Sequence, residues 1–185
     1  MKATTREAVT AAGGTDTVPP ASFREVMTRF AGSVTVVTAH DGTRPVGCTA
    51  TAVLSLTDRP PTLLASLASD SATLRHIRAA GLFGVSVLPY RLRSLAARFA
   101  ELPADRRFDG VDHTSPHGAP LLGGAVAGVV CRVTRYVSLG DHVLVVGHVI
   151  HAETDEDAEP LIHFARRQTR PQTRPQIRTR TRTEG

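Results

Sequence analysis

Ser66-Leu67-Ala68-Ser69-Asp70-Ser71-Ala72-Thr73 runs from the end of an apolar strand-like stretch into the start of a helix-like one. Unsatisfied N–H groups and the positive end of the helix dipole make such a junction suited to an anion, a phosphate above all. The competing reading is plain capping, with Asp70 or Ser71 accepting from the first helical N–H groups. Gly47-Cys48-Thr49-Ala50-Thr51-Ala52 offers small side chains in mid-strand, which suits close approach of a flat ring to the main chain and equally suits tight barrel packing. Gly140-Asp141-His142 places a histidine at a strand entrance, where it can serve a ligand or simply follow a turn. Arg106-Arg107-Phe108-Asp109-Gly110 combines cations with an aromatic ring in a polar stretch and, taken alone, reads as a solvated loop.

Other chemistry is missing. The chain has no G-x-G-x-x-G after a strand, no P-loop, no G-x-S-x-G and no H-E-x-x-H. Eight histidines are scattered without metal-ligand spacing, so no metal site is expected. Cys48 and Cys131 form no C-x-x-C or Cys/His cluster and read as reduced, small core residues.

The elements that must carry these segments follow from periodicity. Residues 1–20 show no sustained pattern and close on Pro19-Pro20, which reads as a disordered leader. Ser22 as cap and Glu25 three positions on predict a short amphipathic helix to Phe30, with Phe23, Val26, Met27 and Phe30 on one face. Val34–Thr38 predicts a strand, Asp41-Gly42 a hairpin, and residues 45–56 one long strand pairing back antiparallel. Thr62–Ala68 predicts a third strand, Ser71–Ala80 a helix closed by Gly81, and Leu82–Leu88 a fourth strand. Tyr90–Phe99 predicts a helix, residues 101–118 a polar loop, and Ala125–Val137 with His142–His151 a long hairpin. Strands joined mostly by turns imply a mainly β fold, an antiparallel sheet closed into a small barrel with a few short flanking helices.

The 185 residues suit one domain, assigned here to 21–165. No apolar run approaches the roughly 20 residues that span a bilayer, and no signal-like h-region follows Met1-Lys2, so the cytoplasm is the expected compartment. The net charge of +5 is a property of the tail, because residues 166–185 hold seven arginines against Glu184 and the remainder sums to −1. That tail, low in complexity, reads as a disordered and solvated appendage, which gives no reason to expect nucleic-acid binding by the domain.

Taken in order, Phe23-Arg24 to Phe30-Ala31, Val34–Thr38, Pro45-Val46-Gly47-Cys48-Thr49-Ala50, Pro60-Pro61, Ser71-x-Thr73-Leu74 and Phe83-x-Val85-x-Val87-Leu88 resemble the flavin reductase-like family. Leu95–Ala100, Arg107-Phe108-x-Gly110-Val111, Gly118-Ala119-Pro120-Leu121-Leu122 and Gly140-Asp141-His142 extend the likeness over residues 21–165. The resemblance implies a homodimeric, FMN-binding split β-barrel. It implies a short-chain NAD(P)H:flavin oxidoreductase that takes hydride from NADH or NADPH to FMN or FAD and supplies reduced flavin to a partner monooxygenase. It assigns Cys48, Thr49, Ala50 and Thr51 to the flavin ring and ribityl chain, and Ser66, Leu67, Ser71 and Thr73 to the phosphate side. His142 is placed near ring and nicotinamide as the catalytic residue, with Arg29, Arg107 and Phe108 as edge contacts. The alternative is a flavin- or haem-binding split-barrel carrier or sensor without turnover. Hydride transfer between stacked rings asks the protein for position and electrostatics, so a missing catalytic triad is expected.

Overall fold

The computed structural model describes residues 16–172, so most of the expected leader and residues 173–185 of the tail lie outside the described residues. The first helix, α1, covers Pro20–Met27. β1 (Gly32–Ser33) and β2 (Thr35–His40) precede β3 (Pro45–Ala50), β4 (Val53–Asp58) and β5 (Pro61–Ala68). Then come α2 (Ala72–Ala80), β6 (Leu82–Val87) and α3 (Ser94–Glu101). The short β7 (His113–Thr114) and β8 (Leu121–Leu122) pair with each other. The long β9 (Ala127–Leu139) and β10 (His142–Thr154) are followed by β11 (Ile162–Phe164) and β12 (Arg167–Thr169).

Every ladder is antiparallel, and seven strands form one sheet in the order β3-β2-β6-β9-β10-β5-β4. Its two outermost strands, β3 and β4, are consecutive in sequence and joined by only Thr51-Ala52. The sheet therefore curls until its edges meet through a covalent link, and Ser66 N donates to Ala52 O at 2.9 Å, carrying the β4–β5 pairing up to that link. This is a barrel with a seam, and the β3 side of the seam has no ladder partner among the described residues.

Expected elements recur where local chemistry decides them. Asp41 Oδ1 accepts from Thr43 N and Arg44 N, fixing the β2–β3 turn, and these backbone donors hold its carboxyl at about 2, well below the usual range. Ser71 caps α2 by accepting from Leu74 N at 3.4 Å, and Gly81 closes it at φ 67°, a conformation a side chain would strain. The β9–β10 hairpin turns on Gly140-Asp141, with Leu139 opposite His142 and Gly140 at φ 58°.

Four expectations are corrected. Residues 45–56 form two strands on opposite edges of the sheet, because the chain must cross the seam at Thr51-Ala52. Tyr90–Phe99 divides into a 3-10 turn at Tyr90–Leu92 and α3. Chain order continues past residue 165, since Arg167–Thr169 pairs with Ile162–Phe164, which in turn pairs with β1. Finally, α1 begins after Pro19 without the Ser22 side-chain cap, and Glu25 bonds Arg166 at 2.9 Å instead of closing a capping box. The helix stops at Met27 and its apolar face buries nothing: Phe23 is 56% exposed, and Phe30 beyond the helix 63%.

The barrel interior holds Val37, Leu74, Ile77, Phe83, Cys131 and Val145, with α2 closing one end. A second cluster, with Val36, Leu88, Phe99, Leu122 and Leu161, seats α3 against the outside of β2 and β3. Together they fix both sides of the seam, which is what a site there requires.

Candidate functional site at the barrel seam

Beside the seam lies an open pocket of about 360 Å³. Its walls are Cys48–Ala52 from the end of β3, Ser66–Ala68 from β5, Ser71 at the start of α2, and His142 at the start of β10. Four separate parts of the chain thus meet where the ladder is interrupted. A strand leaving its sheet exposes backbone polar groups that the next ladder would otherwise satisfy, so the pocket has donors and acceptors without needing long polar side chains.

Local contacts hold these walls. Ser69 N donates to Asp141 O at 2.9 Å, tying the β5–α2 loop to the β9–β10 turn. His142 Nδ1 lies 2.8 Å from Asp141 Oδ1, and the pair holds the Asp141 carboxyl below its usual range. With Nδ1 donating to that carboxylate, Nε2 is the ring nitrogen left for a ligand. Thr49 Oγ1 already donates to Ala96 O at 2.7 Å, so Thr49 contributes its main chain and its shape. Burial pushes the Cys48 thiol up from its ordinary value, against smaller opposing effects of the Thr73 and Ser71 hydroxyls, so it is a protonated, neutral part of the floor. Asp70 is exposed and outside the wall, so its carboxylate is no part of the pocket lining.

Eight of the twelve expected residues line this one pocket: Cys48, Thr49, Ala50, Thr51, Ser66, Leu67, Ser71 and His142. The other four do not. Thr73 is 1% exposed, and its hydroxyl, without a hydrogen-bond partner, is buried beneath the pocket floor close to the Cys48 thiol. Arg107 donates from Nη1 to Gly47 O at 2.7 Å and from Nε to Leu102 O at 2.8 Å, so it fastens its loop to β3. Phe108 meets Phe99 edge-on at 4.9 Å, and both rings lie where a Gly47 side chain would project, at 3.3 and 3.2 Å. Gly47 is therefore small for packing, which settles that position in favour of the barrel. Arg29 follows α1 on its exposed side and lines neither this pocket nor its neighbour.

Reading the sequence missed that neighbour, a groove of about 420 Å³ that shares Thr51 and Ala52 with the pocket and is otherwise built on α1, Phe30 to Gly32 and His163. No signal could have found it, because the spacing of Phe23, Val26, Met27 and Phe30 is that of an ordinary core face. Among the described residues no group of three His, Cys, Asp or Glu side chains gathers as metal ligands, and no helix is long and apolar enough to cross a membrane.

The family model of the flavin reductase like domain matches residues 27–171. The chain belongs to the flavin reductase-like family. It is 37% identical over 147 residues to the FMN reductase (NADH) RutF of Ancylobacter novellus, covering 78% of this chain and 81% of that one. To the reductase component of a 4-nitrophenol 4-monooxygenase/4-nitrocatechol 2-monooxygenase of Rhodococcus opacus it is 39% identical over 148 residues, 80% of this chain and 78% of the other. Among solved structures, an NADH:FAD oxidoreductase of Streptomyces globisporus in complex with NAD and FAD fragments superposes with a TM-score of 0.76 at 33% identity. That match covers 85% of this chain and 94% of the other. The antiparallel barrel is the split-barrel fold of these flavin reductases.

Proposed function

We propose that the seam pocket is where this chain, an NAD(P)H:flavin oxidoreductase, holds FMN or FAD while NADH or NADPH delivers hydride. The observation that carries the assignment is the pocket itself: small, neutral residues from β3 and β5, a helix N-terminus with Ser71, and His142 converge on one opening at an interrupted ladder. The walls fit the group. No carboxylate lines them, and the exposed main chain of Cys48–Ala52 can meet the heteroatoms of a flat ring. Bound flavin supplies the hydride acceptor, so the protein needs no nucleophile.

The chain's own residues then have separable tasks. Cys48, Ala50 and Leu67 present apolar contact, while Thr51 and Ser66 flank the seam with main-chain groups. Ser71 and the first N–H groups of α2 hold the phosphate. His142 offers Nε2 at the mouth, and Asp141 keeps the ring turned that way. Arg107 and Phe108 act from beneath β3 as positioning residues. The open mouth suits a product that leaves, and the reduced flavin serves a partner monooxygenase. Two copies form the working homodimer, in the cytoplasm.

The test is steady-state oxidation of NADH and of NADPH against riboflavin, FMN and FAD. Turnover well above the uncatalysed rate supports the reading, whereas flavin binding without turnover marks a carrier. His142→Ala is expected to slow turnover more than it weakens flavin binding. With Thr73 in the core, the phosphate test passes to Ser71.

A further inference from the structure

One buried polar group under the seam pocket has no task in the site described so far. The Thr73 hydroxyl lies in the interior, and it has no hydrogen-bond partner among the described residues. Its polar neighbour is the Cys48 thiol, close by though unbonded: β3 brings the thiol to the pocket wall, and α2, capped at Ser71, brings the hydroxyl up beneath it. An unpaired hydroxyl in a protein interior costs stability, whereas a methyl group in its place does not. Valine would therefore pack better here than threonine. The hydroxyl is buried within a single chain, so association with a second copy leaves its surroundings as they are.

We propose that Thr73 is a positioning residue for flavin that acts through Cys48: on binding, its hydroxyl donates to Sγ and the thiol hydrogen turns to the pocket. The inference rests on the flavin-site reading above and gives that site a donor from below. A thiol has one hydrogen and a weakly accepting sulfur, so the pair can close in two ways. If the thiol donated to Oγ1, the hydroxyl hydrogen would stay unused, because it has no other acceptor among the described residues. If the hydroxyl donates to Sγ, its hydrogen is used and the thiol hydrogen is left for a partner of its own. Burial holds the thiol protonated, so that hydrogen is present at neutral pH. Ser71 is the other hydroxyl beside Sγ, and its oxygen already accepts from Leu74 N at 3.4 Å. The remaining direction is the pocket, where Cys48 is part of the wall and a flat ring brings acceptor heteroatoms. Thr73 itself is no part of that wall, so it reaches the ring only through Cys48. Threonine at this position gives up stability in favour of binding.

Thr73→Val, Thr73→Ser, Cys48→Ala and the double variant carrying Cys48→Ala with Thr73→Val, all in the full-length chain, test this. Without flavin, Thr73→Val should raise the urea unfolding midpoint, since it removes an unpaired hydroxyl and keeps the shape. Its Kd for riboflavin and its Kd for FMN, measured by fluorescence quenching, should rise alike, about threefold to tenfold. Thr73→Ser, which keeps the hydroxyl, should bind both flavins as wild type does. In the Cys48→Ala background, Thr73→Val should leave Kd where Cys48→Ala puts it, because the residue it acts through is gone. A loss confined to FMN would make Thr73 a phosphate contact, and an equal loss in the Cys48→Ala background would make it a packing residue. An unchanged or lower urea midpoint would mean that the hydroxyl is already satisfied. Each of these overturns the proposal, as does an unchanged Kd in Thr73→Val or a failure of Thr73→Ser to restore binding. Wild-type titration with both flavins tests the underlying reading by itself: if neither binds, that reading falls and this one with it.

Discussion

Two short helices border the seam, and they are stabilised in opposite ways. α2 carries Ser71 and Gly81 as caps, and Thr73, Leu74 and Ile77 lie buried against the barrel. α1 has no side-chain cap and no buried residue, although its apolar spacing is that of a core helix, and it is held by hydrogen bonds and an ion pair to the β11–β12 hairpin. Amphipathic spacing says that a face wants cover; it does not say whether core, ligand or another chain provides it. On α2 the core does so, and the helix becomes a fixed wall. On α1 no residue of its own chain covers the face, which lies beside the pocket.

The sharpest way to break this contrast is to truncate both faces. Leu74→Ala, fully buried, should cost about 2–5 kcal/mol of stability in urea unfolding. Phe23→Ala should stay within about 0.5 kcal/mol, as befits an exposed site; comparable losses would show that α1 is covered in solution.

A smaller effect is expected beneath the seam. Arg107→Ala removes the bond to Gly47 O and the bond to Leu102 O, and should lower stability by about 1–3 kcal/mol. It should weaken riboflavin and FMN equally, because it loosens β3 without touching the phosphate. At the fixed wall itself, Ser71→Ala loses the α2 cap, worth about 0.5–2 kcal/mol. Its Kd for FMN, measured by fluorescence quenching, should rise more than its Kd for riboflavin.

The smallest effect is a slope. Burial pushes the Cys131 thiol in the barrel up to about 12, from an ordinary value near 9. Above pH 9 the unfolded chain releases a proton that the folded chain retains, so stability declines as pH rises, by at most about 1.4 kcal/mol per unit for this group. Below pH 9 the thiol is protonated in both states and contributes no slope. Cys131→Ala also removes core packing, so its unfolding midpoint should lie below that of wild type by a constant amount at lower pH, and the gap should narrow only above pH 9.

Much of the fold was legible because it is decided locally. Asp41-Gly42, the Ser71 and Gly81 caps, and the Gly140-Asp141 turn each carry their own geometry, and the antiparallel barrel follows from the hairpins they make. The break at Thr51-Ala52 was not legible, because residues 45–56 keep strand-like composition throughout and only closure of the sheet forces the crossing. Most of the pocket followed from the family resemblance, which places β3, β5, α2 and β10 residues at one ligand. The expected residues outside the pocket lining are held there by contacts distant in sequence. The turn of α2 takes Thr73 inward, and Arg107 and Phe108 are drawn under β3 by Gly47 and Phe99. The β11–β12 hairpin, hidden by the arginine-rich composition that continues into the tail, exists because β1 offers it an edge.

The central claim is most directly tested by a crystal structure of this chain grown with FMN. The account expects the isoalloxazine ring against the main chain of Cys48–Ala52, with the phosphate at Ser71 and His142 at the mouth. Flavin density elsewhere on the barrel, with the seam pocket between the end of β3 and β5 closed by its own side chains, would contradict it.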